Sequence, residues 1–160
     1  MIATLDVLLL IVAANAAPVT LKLMLRQEPA WPVDGGLQWR DGRRLFGASK
    51  SIRGVVAAII AAAAVAWIVG LPILAGAAAG AMAMTGDLLS SFTKRRLGLE
   101  PSSRFLGLDQ VPEAFFPLLV LIPLTEVELW NGLSAALLFV VLGPPLSWLL
   151  YHAGIRREPH

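Results

Sequence analysis

Residues 54–98 read GVVAAIIAAAAVAWIVGLPILAGAAAGAMAMTGDLLSSFTKRRLG. Two apolar runs, 54–70 and 72–90, meet at the tight turn Gly70-Leu71-Pro72. Each run approaches the roughly 17–25 residues that carry a helix across a bilayer. The stretch therefore reads as a membrane-embedded helical hairpin. Near the end of its second run a carboxylate, Asp87, emerges, and Lys94-Arg95-Arg96 follow within about two helical turns. Ionisable groups at a membrane boundary cost free energy, so this pattern points to function. An anionic group beside clustered cations suits a metal-bound, phosphate-bearing substrate at the membrane surface.

The rest of the chain extends the same picture. Of its 160 residues, 57% are hydrophobic and 15% charged, against about 25% charged in a soluble domain. Three more apolar stretches flank the hairpin: 2–21, with Asp6, Asn15 and Pro18; 112–125, with Pro112, Pro117 and Pro123; and 129–151, with Gly143-Pro144-Pro145. The expected fold is an all-α integral membrane protein. Five transmembrane helices form a single membrane domain over 1–160, joined by two long cytoplasmic loops, 22–53 and 91–111. Pro117 and Pro123 should kink the fourth helix, and Gly143-Pro144-Pro145 should bend or break the fifth. Gly76 and Gly80, and more loosely Ala57, Ala61 and Ala66, give the small-residue spacing that lets helices approach in lipid. In so alanine-rich a chain, such spacings also arise from composition alone.

Charge placement sets the expected topology. All 13 Lys and Arg residues fall in the two long loops and the C-terminal tail. With five spans these three segments share one side. The positive-inside rule places them in the cytoplasm, with the N-terminus outside the cell membrane. The first span has Asp6 where a signal peptide has a basic region, so it is expected to stay as a span. The chain has no cysteine, which excludes disulfide and thiolate chemistry. His152 and His160 lie near the C-terminus and read as tail residues rather than a metal pair. No nucleic-acid partner is expected.

The candidate site gathers from both loops. Lys50, Ser51 and Arg53 stand just before the second span, where their donors and a helix N-terminus could grip phosphate oxygens. They could equally be anchors for anionic lipid headgroups. The GxxxxGK[ST] spacing of a P-loop is absent. If the third helix continues inward, Asp87, Ser90, Ser91 and Lys94 share one face by i, i+3, i+4 and i+7 spacing, with Arg95 nearby. Asp109, at the start of the fourth span, can return to the same membrane depth. Two such carboxylates among cations and hydroxyls suit Mg²⁺ and a triphosphate. On spacing alone, a plain ion-pair network between Asp87 and Lys94 or Arg95 stays open.

Several segments together resemble the CDP-archaeol synthase family, related to the CDP-diacylglycerol synthases. They are Asn15-Ala16-Ala17-Pro18, Pro32-Val33-Asp34, Asp41-Gly42-Arg43-Arg44-Leu45-Phe46-Gly47 with Lys50-Ser51-Ile52-Arg53-Gly54, residues 86–98, and Leu108-Asp109-Gln110. They occur in family order across most of residues 15–110. The resemblance implies an integral-membrane cytidylyltransferase that joins CTP to a lipid phosphate and releases pyrophosphate, with Mg²⁺ as cofactor. Its lipid substrate would be an archaeal-type ether lipid phosphate. By motif, Asp87 and Asp109 would bind the metal, and Asp87, Lys94 and Asp109 would be catalytic. Lys94, Arg95 and Arg96 would hold phosphates, with Ser91 beside them. Asn15 would orient the nucleotide or a phosphate, and Lys50 and Arg53 would contact the triphosphate or the lipid phosphate. One departure stands out: the family's GDGKTWRG is Gly47-Ala48-Ser49-Lys50-Ser51-Ile52-Arg53-Gly54 here.

Two other readings compete. A phosphatase or alcohol-phosphate transferase would need a second carboxylate cluster of the DGxxAR type, which the chain lacks. A non-enzymatic membrane scaffold or transporter subunit would use the basic loops only as anchors. Besides CTP, lipid phosphate and surrounding membrane lipids, a second copy of the chain is a plausible partner, because five short helices enclose little volume.

Overall fold

The computed structural model describes residues 2–25, 29–99 and 107–152. Arg26, Arg104, Arg156, Arg157 and His160, and the side chain of His152, lie outside this description. Six helices follow in order: α1 Thr4–Met24, α2 Ile52–Ile68, α3 Ile73–Arg96, α4 Gln110–Phe115, α5 Leu118–Leu124 and α6 Leu129–His152. No β-strand occurs among the described residues; two isolated bridges, Pro32 with Ser51 and Gln38 with Arg44, lie in the first loop.

The short helices α4 and α5 are two halves of the fourth apolar stretch. Pro117 sits at their joint, where its missing N–H and its ring interrupt the hydrogen-bond ladder. The all-helical expectation and the five apolar helical segments are therefore present. Helices α1 and α3 are each long and apolar enough to cross a membrane, and Ile52–Ile68, Gln110–Leu124 and Leu129–Gly143 are shorter apolar helical stretches.

Two local expectations change. Helix α6 runs through Gly143-Pro144-Pro145 without a break. Adjacent prolines remove two donors, a gap that helices set in a bundle tolerate because neighbouring groups and local backbone adjustment satisfy the freed carbonyls. Helix α3 continues past residue 90 to Arg96, so Lys94-Arg95-Arg96 form its last turn rather than a loop. Three cations there complement the negative end of the helix dipole. The helix then stops on Gly98, whose φ of +76° suits glycine. The Gly98 N–H donates to the Arg95 carbonyl and the Leu99 N–H to the Lys94 carbonyl, closing a Schellman cap.

The bundle is packed on small residues. Gly54, Ala58, Ala62 and Ala66 form the buried face of α2. This i, i+4 row replaces the looser Ala57, Ala61 and Ala66 series expected from sequence; Ala57 and Ala61 are only half-buried. Gly76 and Gly80 of α3 press into that row. A Cβ on Gly76 would lie 2.3 Å from the Ala66 Cβ, and one on Gly80 2.9 Å from the Ala58 carbonyl oxygen. In lipid there is no hydrophobic gain in helix association, so close van der Waals contact of this kind holds the hairpin together.

The ends of the bundle differ. At one end the starts of α1 and α6 are tied: Asn131 donates to the Ile2 carbonyl at 3.1 Å, and the Thr4 hydroxyl donates to the Asn131 side-chain oxygen at 3.3 Å. The chain direction of the helices places the C-terminal ends of α1 and α3 and the start of α2 at the opposite end. There the first loop is folded back on itself, with the Val33 N–H bonded to the Lys50 carbonyl and the Ile52 N–H to the Trp31 carbonyl. Asp34 is its staple. Its buried carboxylate accepts from the Gly36, Phe46 and Gly47 N–H groups and from Arg44.

Candidate active site

A cavity of about 790 Å³ opens at this loop-bearing end. Helix α1 supplies Asn15, the end of the first loop supplies Lys50 and Ser51, the first turn of α2 supplies Arg53, α3 supplies Asp87, Ser91, Lys94 and Arg95, and Asp109 enters beside α4. Of the nine residues to which the resemblance gives a role, eight thus converge, and Arg96 is absent from the lining. The cavity wall continues into apolar surface from Leu8, Val12 and Val19 of α1 and Phe139 and Leu142 of α6. One space therefore meets charged groups at one side and hydrocarbon at the other. An apolar groove of about 710 Å³ along α2 shares Leu21 and Arg53 with it.

Helical phase explains the convergence. Continuing α3 to Arg96 puts Asp87, Ser91 and Lys94 on one face, as the i, i+4 and i+7 spacing requires. Ser90 is buried, and its hydroxyl donates to the Asp87 carbonyl of the same helix, so it does not line the cavity. Ser51 caps α2 by accepting from the Gly54 N–H, which points the first turn of that helix into the site. Asn15 donates to the Ile11 carbonyl at 2.9 Å, so its amide is turned along α1 while still lining the cavity. Arg53 lies 3.5 Å from the Leu25 carbonyl.

The charges are paired across elements. The Lys50 ammonium bonds both oxygens of Asp87, at 2.5 and 2.6 Å. Lys94 lies 2.7 Å from Asp109. The sequence offered Lys94 or Arg95 as an ion-pair partner for Asp87; the structure brings Lys50 from a distant loop to it. Loop folding sets that contact, and helical spacing within α3 could not show it.

Arg96 is the exception. It turns to the outer side of α3 and bonds Asp41 and the carbonyls of Arg43 and Arg44. Its guanidinium also lies 5.1 Å from the Phe92 ring centre, with Trp39 edge-on to that ring. Arg96 thus clamps the first loop to α3, which differs from the phosphate contact expected from its place in the motif. Arg43 returns the contact by donating to the Arg95 carbonyl.

The donor set fits Mg²⁺ by its chemistry. Carboxylates are the hard oxygen ligands this ion takes, and one or two of them suffice when phosphate oxygens and water complete the shell. Among the described residues, no three His, Cys, Asp or Glu side chains form a preformed metal cage. Sequence reasoning gave two contributors no role. Asp34 organises the loop that presents Lys50, and Glu113 of α4 lines the cavity beside Asp87.

An amphipathic cavity with paired lysines and carboxylates, set in an apolar helical bundle, defines an intramembrane enzyme of lipid chemistry. A solved intramembrane enzyme for archaeal membrane lipid biosynthesis has the same fold, with a TM-score of 0.71 and 32% identity over 94% of this chain and 92% of that one. A CDP-archaeol synthase of Thermococcus onnurineus is 31% identical over 147 residues, covering 84% of this chain and 80% of the relative. One of Thermococcus gammatolerans is 32% identical over 91% of this chain and 88% of its own length. No protein-family model matches. The chain belongs to the CDP-archaeol synthase family. It is a membrane enzyme, a cytidylyltransferase of lipid biosynthesis, and the scaffold reading is set aside.

Proposed function

We propose that the cavity binds CTP and an archaeal-type ether lipid phosphate together, and that the protein transfers the cytidylyl group between them. The observation that carries this reading is the pair of contacts Lys50–Asp87 and Lys94–Asp109 in one cavity whose far wall is apolar. Lipid chains lie along the α1 and α6 wall, and the lipid phosphate and triphosphate meet at the charged side. An oxygen of the lipid phosphate attacks the α-phosphorus of CTP. The bond from that phosphorus to the β-phosphate bridge breaks, and pyrophosphate leaves.

The lipid phosphate is already a nucleophile, so no serine or cysteine needs activating. Catalysis is mainly positioning and charge stabilisation. Lys50, Lys94 and Arg95 bind phosphate oxygens, helped by Arg53, Ser91 and the N-terminal turn of α2. Asn15 orients the nucleotide or a phosphate from α1. Asp87 and Asp109 would hold Mg²⁺, which when bound neutralises the triphosphate and the departing pyrophosphate. Arg96 acts at one remove, by holding the loop that carries Lys50. The loops and the C-terminus face the cytoplasm, where CTP is available, with the N-terminus outside.

The test is Asp87→Asn and Asp109→Asn in purified full-length protein. Each should lower CDP-lipid formation by at least about 100-fold with membrane expression unchanged. Wild-type turnover in both variants would sink these assignments.

A further inference from the structure

Glu113 has no role in the scheme above, yet the fold singles it out. It follows Pro112 in α4, whose chain is pressed against α3. A Cβ on Gly86 would lie 2.4 Å from the Pro112 carbonyl oxygen and 2.9 Å from the Glu113 nitrogen. Glycine at position 86 is therefore what permits this approach. The next residue in α3 is Asp87, so the contact places Glu113 and Asp87 next to each other in the lining of one cavity. Lys50 and Asp109 complete the charged surroundings of Glu113, which lines the same cavity.

Two carboxylates held together on apolar helices are costly as a pair of anions, and a shared proton or an accompanying cation relieves that cost. Backbone contact between α3 and α4 keeps them from separating. A cation already sits there in one form: the Lys50 ammonium bonds both Asp87 oxygens. It takes the face of Asp87 that a metal ion would use.

We infer that Glu113 is a further cation-holding residue of the reaction, sharing with Asp87 the divalent ion that accompanies the triphosphate. On nucleotide binding, Lys50 passes from carboxylate to phosphate, and the Asp87–Glu113 pair keeps the cation. This inference rests on the cytidylyltransferase reading of the cavity.

The experiment is an Mn²⁺ titration of the purified full chain in detergent, read by electron paramagnetic resonance. Wild type, Glu113→Gln, Glu113→Asp and Asp87→Asn are compared, with thermal unfolding as the check on folding. Glu113→Gln should weaken Mn²⁺ binding about tenfold, and Asp87→Asn should abolish it. Glu113→Asp, which keeps the charge one methylene short, should fall between wild type and Glu113→Gln. Wild-type affinity in Glu113→Gln, with binding lost in Asp87→Asn, overturns the inference and leaves the function reading standing. Wild-type affinity in both overturns the role of Asp87 and the inference with it. If Glu113→Gln does not fold, wild-type affinity in Glu113→Asp overturns the inference.

Discussion

Two Asp–cation networks meet at the C-terminal end of α3, and they use different cations. On the outer side, the Arg96 guanidinium bonds Asp41 and two backbone carbonyls at once and lies over Phe92. On the cavity side, lysines face the carboxylates, Lys50 on Asp87 and Lys94 on Asp109. A guanidinium fork with several fixed partners locks a structure. An ammonium on a flexible stem is a point charge that can leave one anion for another. The comparison separates a clamp, built to stay closed, from a site built to exchange its partners for phosphate and metal. Adjacent positions on one helix serve both, because successive residues point about 100° apart.

The comparison can be broken most severely in the cavity. Lys94→Met should reduce CDP-lipid formation by at least about 100-fold, while membrane expression stays at the wild-type level. A smaller loss is expected from Gly86→Ala, because its Cβ would press on the Pro112 carbonyl. The strain should cost about 2 kcal/mol, seen as a lower unfolding midpoint in detergent, with turnover falling as α4 is pushed from Asp87.

The clamp side should respond through stability. Burial tends to raise the Asp34 carboxyl, but its bonds from Arg44 and the Gly36, Phe46 and Gly47 N–H groups prevail and hold it down from 3.8 to about 2. Because the folded value is depressed, the stabilisation is fully present above pH 3.8 and is lost as pH falls through about 2. It amounts to about 2 kcal/mol. Asp34→Asn should remove it at neutral pH, and its unfolding midpoint should then vary less with pH between 4 and 2 than that of wild type. The smallest effect is expected from Arg96→Ala. Freeing the loop should lower kcat/KM about tenfold and leave Mn²⁺ binding unchanged. A loss as deep as that of Lys94→Met would erase the distinction between clamp and site.

Much of this arrangement was legible in the sequence, for reasons that show where reading stops. Long apolar runs and the placement of every basic residue define the helical segments, because burying backbone and charge in lipid leaves few solutions. Asp87, Ser91 and Lys94 could be grouped because helical spacing is periodic. Lys50 could be marked but not paired, since its contact with Asp87 depends on how a loop folds back over 37 residues of separation. Arg96 shared a motif with two cavity residues, and only the helix phase shows that it faces away. Glu113 gave no signal at all. It stands alone in an apolar segment after Pro112, and its meaning comes from the glycine contact on another helix. Asp34 was visible as part of a motif, yet its four hydrogen bonds belong to tertiary structure.

The central claim is that the cavity, and not the clamp, carries the transfer. The most direct measurement incubates purified full-length protein with labelled CTP, Mg²⁺ and an archaeal-type ether lipid phosphate, and follows CDP-lipid and pyrophosphate together. Equimolar products from wild type, lost in Asp87→Asn and retained at about one tenth in Arg96→Ala, are the predicted result. No product from ether-lipid, diacylglycerol or polyprenyl phosphates would contradict it.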